Sequence, residues 1–210
     1  MTQIQANFTL LFGTPVTRVE VPDSATLNAA LRATILAREA AVPTARHSNM
    51  GGWQSTWDME SWGGPAAKVL LEVAVNVAAQ LTIERAGGRP VRPAWKSMMW
   101  ANVNRAGHSN AHHIHPEAFW SGVYWVDDGG IAASPDLGGE IDFMDPRGAA
   151  PAMYAPNLGF STPGGHALGS SELVRPQAGV MLMFPSWLLH GVRPYLGDRT
   201  RISISFNFGV

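Results

Sequence analysis

Hydrophobic residues recur at helical spacing in the first part of the chain and alternate in the second, and the change falls near Trp95. The runs FTLLF and VTRVEV, separated by Gly13 and Pro15, predict an opening strand or two. In DSATLNAALRATILAREAAV, Leu27, Leu31 and Ile35 share one face, which predicts a helix capped by Asp23 or Ser24 and ended by Pro43. A second helix is predicted in GGPAAKVLLEVAVNVAAQLTIERAGG, with Pro65 suited to its first turn and Gly87 and Gly88 as its stop. Between the two helices, RHSNMGGWQSTWDMESWGG has no period and is dense in Gly and Trp. It predicts a loop tucked against the core, a candidate pocket wall.

From Trp95 onward the strand-like runs KSMMWANVN, FWSGVYWV, GGEIDFMD, VMLMFPSWLLH and TRISISFNFGV are broken by turn residues. Many short strands after two helices predict a mainly β fold with α: a double-stranded β-helix, the cupin-like jelly-roll, with an N-terminal helical layer. The expected organisation is one domain over residues 1–210, with 1–94 a strand and helix scaffold and 95–210 the β core. The stretch Asp127 to Ser171, rich in Gly, Pro and Ala, is expected to be irregular and placed for function.

Composition narrows the chemistry. A chain of 210 residues that is 46% hydrophobic buries one substantial core. A net charge of −1 with 15% charged residues gives no field for a nucleic-acid backbone or an anionic membrane, so neither is expected as a partner. The absence of cysteine removes disulfides, thiolate ligands and a cysteine nucleophile, leaving nitrogen and oxygen to hold any metal. No basic leader is present and no apolar run approaches the ~20 residues of a membrane span. A soluble, cytoplasmic protein is expected.

Three of the seven histidines fall within HHIH at residues 112–115. Positions i and i+2 of a strand face the same way, so His113 and His115 point together into a barrel while His112 points out. Two imidazoles on one edge form half of a transition-metal site. His190, placed at the end of the apolar run FPSWLLH, is the candidate third ligand. The plainer alternative is a solvated loop with histidines by chance.

Several motifs then resemble one family. N-x-N at Asn102 and Asn104, H-x-H-P from His113, S-G-V-Y from Ser121 and RISISFN from Arg201 are similar to an uncharacterised bacterial group of 2OG-Fe(II) oxygenases related to the prolyl 4-hydroxylases. Gly107 stands six residues before His113 as in the prolyl hydroxylase Y-x-x-G lead-in, GGEIDF resembles G-G-E-T-x-F, and VRPQAGVMLMF resembles their V-x-P-x-x-G strand. The likeness runs from about Trp100 to Phe208, and the GGWQS loop at Gly51 to Ser55 extends it.

The resemblance implies a non-haem iron(II)- and 2-oxoglutarate-dependent dioxygenase, a hydroxylase that converts 2-oxoglutarate to succinate while hydroxylating a substrate with dioxygen. It implies iron(II) on His113, His115 and His190, and the far carboxylate of 2-oxoglutarate on Arg201 with Ser203 on the same face, because a guanidinium fork suits a carboxylate. Arg199 is the competing anchor and Arg193 is expected at the surface. Asn104 falls where prolyl hydroxylases have a tyrosine touching the keto acid, and Tyr124 or Trp125 where another aromatic partner is expected, with Tyr124 taken as the cofactor contact. The family pattern is H-x-D or H-x-E, whereas His115 occupies the matching position here. A shifted triad of His115, Glu117 and His190 is therefore the alternative ligand set. Asn102 could line the pocket and Asn207 either reach it or fasten two strands; Asp142 and Asp145 are expected at a solvated strand end, and His166 at the surface.

Two rival functions use the same residues: a cupin-type three-histidine dioxygenase or isomerase that needs no keto acid, and a non-catalytic metal-binding module. The expected substrate is a small molecule or a peptide side chain. Trp53, Trp57 and Trp120 are candidate pocket tryptophans that hint at an apolar or ring-bearing one. The sequence does not disclose the substrate itself or the oligomeric state.

Overall fold

Alternating side chains build two antiparallel sheets in the computed structural model, which describes residues 11–148, 158 and 171–210. In chain order the elements are β1 (Thr17–Glu20), α1 (Ser24–Ala41), β2 (Asn49–Met50), β3 (Trp53–Gln54), α2 (Met59–Trp62), α3 (Gly64–Gln80), β4 (Lys96–Asn104) and β5 (Ser109–His113). There follow β6 (Trp120–Asp127), β7 (Ile141–Met144), β8 (Ser171–Val174), β9 (Val180–Pro185), β10 (His190–Val192) and β11 (Arg201–Gly209). The larger sheet runs β1-β9-β6-β11-β4-β3 and the smaller β2-β5-β10-β7-β8. Successive strands hop between the two sheets, which makes the fold a double-stranded β-helix, or jelly-roll. Among the described residues no helix is long and apolar enough to cross a membrane.

The central strands β9, β6 and β11 of the larger sheet are buried on both sides. Its outer face presents Met99, Ala101, Val103, Tyr124, Met183, Ile204 and Phe206 to Leu31 and Ile35 of α1 and Leu70 and Ala74 of α3. Its inner face adds Val123, Trp125, Leu182 and Phe184 to a second cluster with Ile141 and Phe143 of the smaller sheet. Gly122 lies where a side chain would run into the Phe206 ring and come within 2.6 Å of the Leu182 carbonyl, so β6, β9 and β11 pack closely only without a Cβ there.

The strands read from the second half agree closely with β4, β6, β7, β9 and β11. Four details differ. Asp23 stands at the α1 N-cap position with φ 50° and makes no capping hydrogen bond. The second helix stops at Gln80, well before Gly87, because the Thr82 hydroxyl takes the Ala78 carbonyl (2.6 Å) while accepting the Trp120 indole N–H (2.9 Å). The Gly- and Trp-rich segment expected to be a loop pairs in part, since β2 and β3 join the sheets. His190 does not end a strand but begins β10, after a turn closed by Leu188 N–H on the Pro185 carbonyl. Most of FTLLF, and His166, lie outside the described residues.

Candidate metal centre

The smaller sheet assembles the histidines. His190 of β10 is the direct cross-strand partner of His113 in β5. His115 lies just past β5, where its backbone N–H donates to the Ser186 carbonyl (3.0 Å). Ring centroids are 4.6 Å apart for His113 and His190, 4.8 Å for His113 and His115, and 5.2 Å for His115 and His190. One ring nitrogen from each lies within 4.8 Å of the others, the one such cluster among the described residues.

Protonation and tautomer are set locally. Nδ1 of His113 is 2.7 Å from the Ala111 carbonyl, and Nδ1 of His190 is 2.7 Å from the Leu188 carbonyl. A carbonyl only accepts, so each Nδ1 carries the proton and each Nε2 keeps its lone pair for a cation. Burial against Phe143 and Phe184 pushes His190 down to about 4. Burial, then the neighbouring His190 and His113, pushes His115 down to about 3, and burial lowers His113. All three imidazoles are neutral at pH 7. Neutral imidazoles converging from two strands fit a divalent transition metal.

The alternative carboxylate is not brought in. Glu117 is exposed, has φ 70° and stands outside the cluster. His112 points to the outer face, 3.9 Å from Asp142, which also accepts from Arg193 Nε at 3.3 Å. Asp142 is thus buried rather than solvated, and Asp145 is paired with Arg147 at 2.7 Å. Neither reaches the histidines.

The larger sheet supplies the opposite side. Arg201 faces inward at 2% exposure and donates from Nη1 to Asn104 Oδ1 (3.2 Å), while its Nε has no partner among the described residues. Burial pulls its pKa down to about 10, with Tyr195 and Asp128 opposing, so it stays charged at neutral pH. Among the described residues it makes no salt bridge, and residues 1–10 and 149–170 contain no Asp or Glu. No side-chain carboxylate of the described residues lies within ion-pair distance of it, and Asp128 acts on it only from farther away. Arg199 is no rival, being 63% exposed and 3.6 Å from Asp127.

Tyr124 is a correction: it faces the helices and its hydroxyl donates to Asn28 Oδ1 at 2.6 Å. Its neighbour Trp125 faces inward, paired in register with Ser203, fully buried, and its indole N–H has no partner among the described residues. Two orphaned donors, Arg201 Nε and Trp125 Nε1, therefore flank Ser203 on one sheet face. Such groups fit an anionic ligand held by hydrogen bonds, since a buried donor left without a partner is costly.

A cavity between the sheets is lined by the three histidines, Arg201 and Ser203, and also by Trp57, Trp100 and Asn102. Asn104 stands behind it, holding the guanidinium, and Asn207 accepts from the Ser121 hydroxyl (2.8 Å), fastening β11 to β6. Of the three candidate tryptophans only Trp57 lines the cavity; Trp53 and Trp120 are in the helix-side core, donating to the Val42 carbonyl and Thr82. His47, in the loop before β2, also lines the cavity, and the sequence reading did not single it out. Its place within the Gly- and Trp-rich segment, a candidate pocket wall, was the available signal.

The model of a family described as "Putative 2OG-Fe(II) oxygenase" matches residues 98–207. No curated protein matches the chain in sequence. Among solved structures, a Pseudomonas putida prolyl-4-hydroxylase superposes with TM-score 0.58 at 20% identity, covering 93% of this chain and 92% of that one. A Trichoplax adhaerens prolyl hydroxylase, in complex with a hypoxia inducible factor peptide fragment, gives 0.63 at 13% identity over 92% and 83%. HygX from Streptomyces hygroscopicus, with nickel and 2-oxoglutarate bound, gives 0.57 at 11% identity over 93% and 83%. At these identities the likeness is one of fold.

Proposed function

The chain belongs to the 2OG-Fe(II) oxygenase family, and from that premise we propose that His113, His115 and His190 are its iron ligands and that Arg201, Ser203 and Trp125 receive the far carboxylate of 2-oxoglutarate. The observation that carries this reading is Arg201, a buried cation with a free Nε and no carboxylate partner. An anion must enter for that arrangement to be favourable. A purely structural metal module does not account for it; a cupin-type enzyme would place a substrate carboxylate on Arg201 instead, and titration with 2-oxoglutarate separates that reading from this one.

When bound, iron(II) and 2-oxoglutarate would activate dioxygen, the oxidant, so that one oxygen atom goes into succinate as carbon dioxide is lost and the other into the hydroxylated C–H bond of the substrate. The chain's own residues bind and orient. Backbone carbonyls of Ala111 and Leu188 fix two imidazoles with Nε2 presented. Asn104 accepts from Nη1 and so aims the guanidinium fork, leaving Nε toward the ligand. Phe143 and Phe184 pack on His190 and keep water from its flank. Three imidazoles in place of two and a carboxylate leave the metal one charge more positive, which favours a dianionic chelate.

Adding 2-oxoglutarate to the iron(II)-loaded protein without oxygen tests the reading. A metal-to-ligand charge-transfer band in the visible is expected. Its absence from protein that retains stoichiometric iron would overturn it.

A further inference from the structure

Once the deep end is assigned to 2-oxoglutarate, a reading on which this inference rests, the remaining walls of the same cavity describe its other occupant. Depth orders the lining: Arg201 is 2% exposed and Trp100 7%, while Trp57, at 41%, and His47 stand at the open end. His47 is held rather than loose. Its backbone N–H donates to Asn49 Oδ1 (2.9 Å), Ser48 O accepts from Ala111 of β5 (2.9 Å), and its ring meets Trp57 edge to face at 6.1 Å. The same lining holds carboxamides. Gln54 of β3 is buried and lines the cavity, and Asn102, its cross-strand neighbour, donates to Ser205 (3.2 Å) with its carbonyl oxygen left to accept.

None of these groups carries a fixed charge. Among the described lining residues Arg201 is the one formal ion, and no carboxylate is present. Residues 149–170 contain no Asp, Glu, Lys or Arg either, so they bring no fixed charge wherever they lie. A charged group entering this mouth would lose hydration without gaining a counter-ion, whereas hydroxyl or amide groups would exchange water for carboxamide and imidazole partners. The indole of Trp57 offers a flat apolar face. We infer that the primary substrate is an uncharged, ring-bearing molecule carrying hydroxyl or amide groups, stacked on Trp57 and hydrogen-bonded by His47 and Gln54.

The test uses nickel(II)-loaded protein saturated with 2-oxoglutarate, so that no turnover intervenes. Saturation-transfer NMR compares size-matched ring compounds in neutral and charged forms: methyl glucoside against glucosamine and glucuronate, N-acetylprolinamide against N-acetylproline, and cyclohexanol against cyclohexylamine and cyclohexanecarboxylate. The neutral member of at least one series is expected to bind at least tenfold tighter than its charged counterparts. The series that responds separates a glycoside-like from an amide-like or an alicyclic source. Trp57→Ala and His47→Ala should each weaken that binding tenfold or more, and Trp57→Phe should restore most of it. Equal or tighter binding of charged members, no binding of any neutral member, or indifference to Trp57→Ala and His47→Ala would overturn the inference. Uptake of 2-oxoglutarate in the same samples reports on folding and loading; its failure in the unmodified protein would instead sink the functional reading itself.

Discussion

Replacing Arg201 with methionine should make the metal-free protein more stable while removing its hold on 2-oxoglutarate. Burial pulls the Arg201 pKa down from the ordinary arginine value to about 10, and at 1.36 kcal/mol per pKa unit this corresponds to about 3 kcal/mol against the charged folded form. The sign follows from proton counting. Above pH 10, up to the ordinary arginine range, the unfolded chain still holds a proton that the folded chain has released, so stability rises with pH there and the whole penalty is present at neutral pH. Methionine has similar length and no charge, so Arg201→Met removes the penalty. It also loses the bond to Asn104 and leaves that carboxamide unpartnered, at a cost of about 1–2 kcal/mol. The net expectation is a gain of about 1–2 kcal/mol, read as a melting temperature raised by a few degrees. Breaking a buried ion pair costs about 3–5 kcal/mol, so calorimetric titration of the metal-loaded variant should show 2-oxoglutarate bound at least a hundredfold more weakly. A variant that melts lower than the parent and still takes up 2-oxoglutarate normally would refute the argument, because Arg201 would then be a structural cation with a partner of its own.

Five other substitutions extend the test to neighbouring residues. Trp125→Phe should weaken 2-oxoglutarate about tenfold by removing the orphaned indole donor, whereas Tyr124→Phe should leave the titration unchanged and lower stability by about 1 kcal/mol for the lost bond to Asn28, checked by urea melts. His113→Ala should abolish stoichiometric iron while Glu117→Gln retains it, measured by metal analysis after gel filtration. Gly122→Ala should destabilise the fold by about 2 kcal/mol or more, since the new methyl meets the Phe206 ring and the Leu182 carbonyl; thermal melts would show it.

Much of the site was legible in the sequence because β4 and β11 are polar on one face only. Asn102 and Asn104, and Arg201, Ser203 and Asn207, alternate with apolar residues, so their common inward direction follows from period two alone. Strand β6 carries no such signal. Helices cover one side and the second sheet the other, Tyr124 and Trp125 are both fully buried, and nothing local separates them. His47 escaped for a different reason: it reaches the cavity through the two-residue pairing of β2 with β5, a long-range contact in a segment without period. The end of α3 depends on Thr82 meeting Trp120, a partner 38 positions away, which no window of helix propensity contains. Glu117 was a plausible ligand by spacing until its exposure was known.

The division of labour between the sheets carries a further consequence. Every imidazole comes from the smaller sheet or the turn beside it, and the guanidinium, hydroxyl and indole that face them come from the larger. A diacid gripped at both ends must therefore span the sandwich, whose thickness is set by Phe143, Leu182 and Phe184 packed within it. On the proposed assignment the barrel would act as a calliper, sorting candidate keto acids by carbon count, with the one that fits becoming a strut between its two walls.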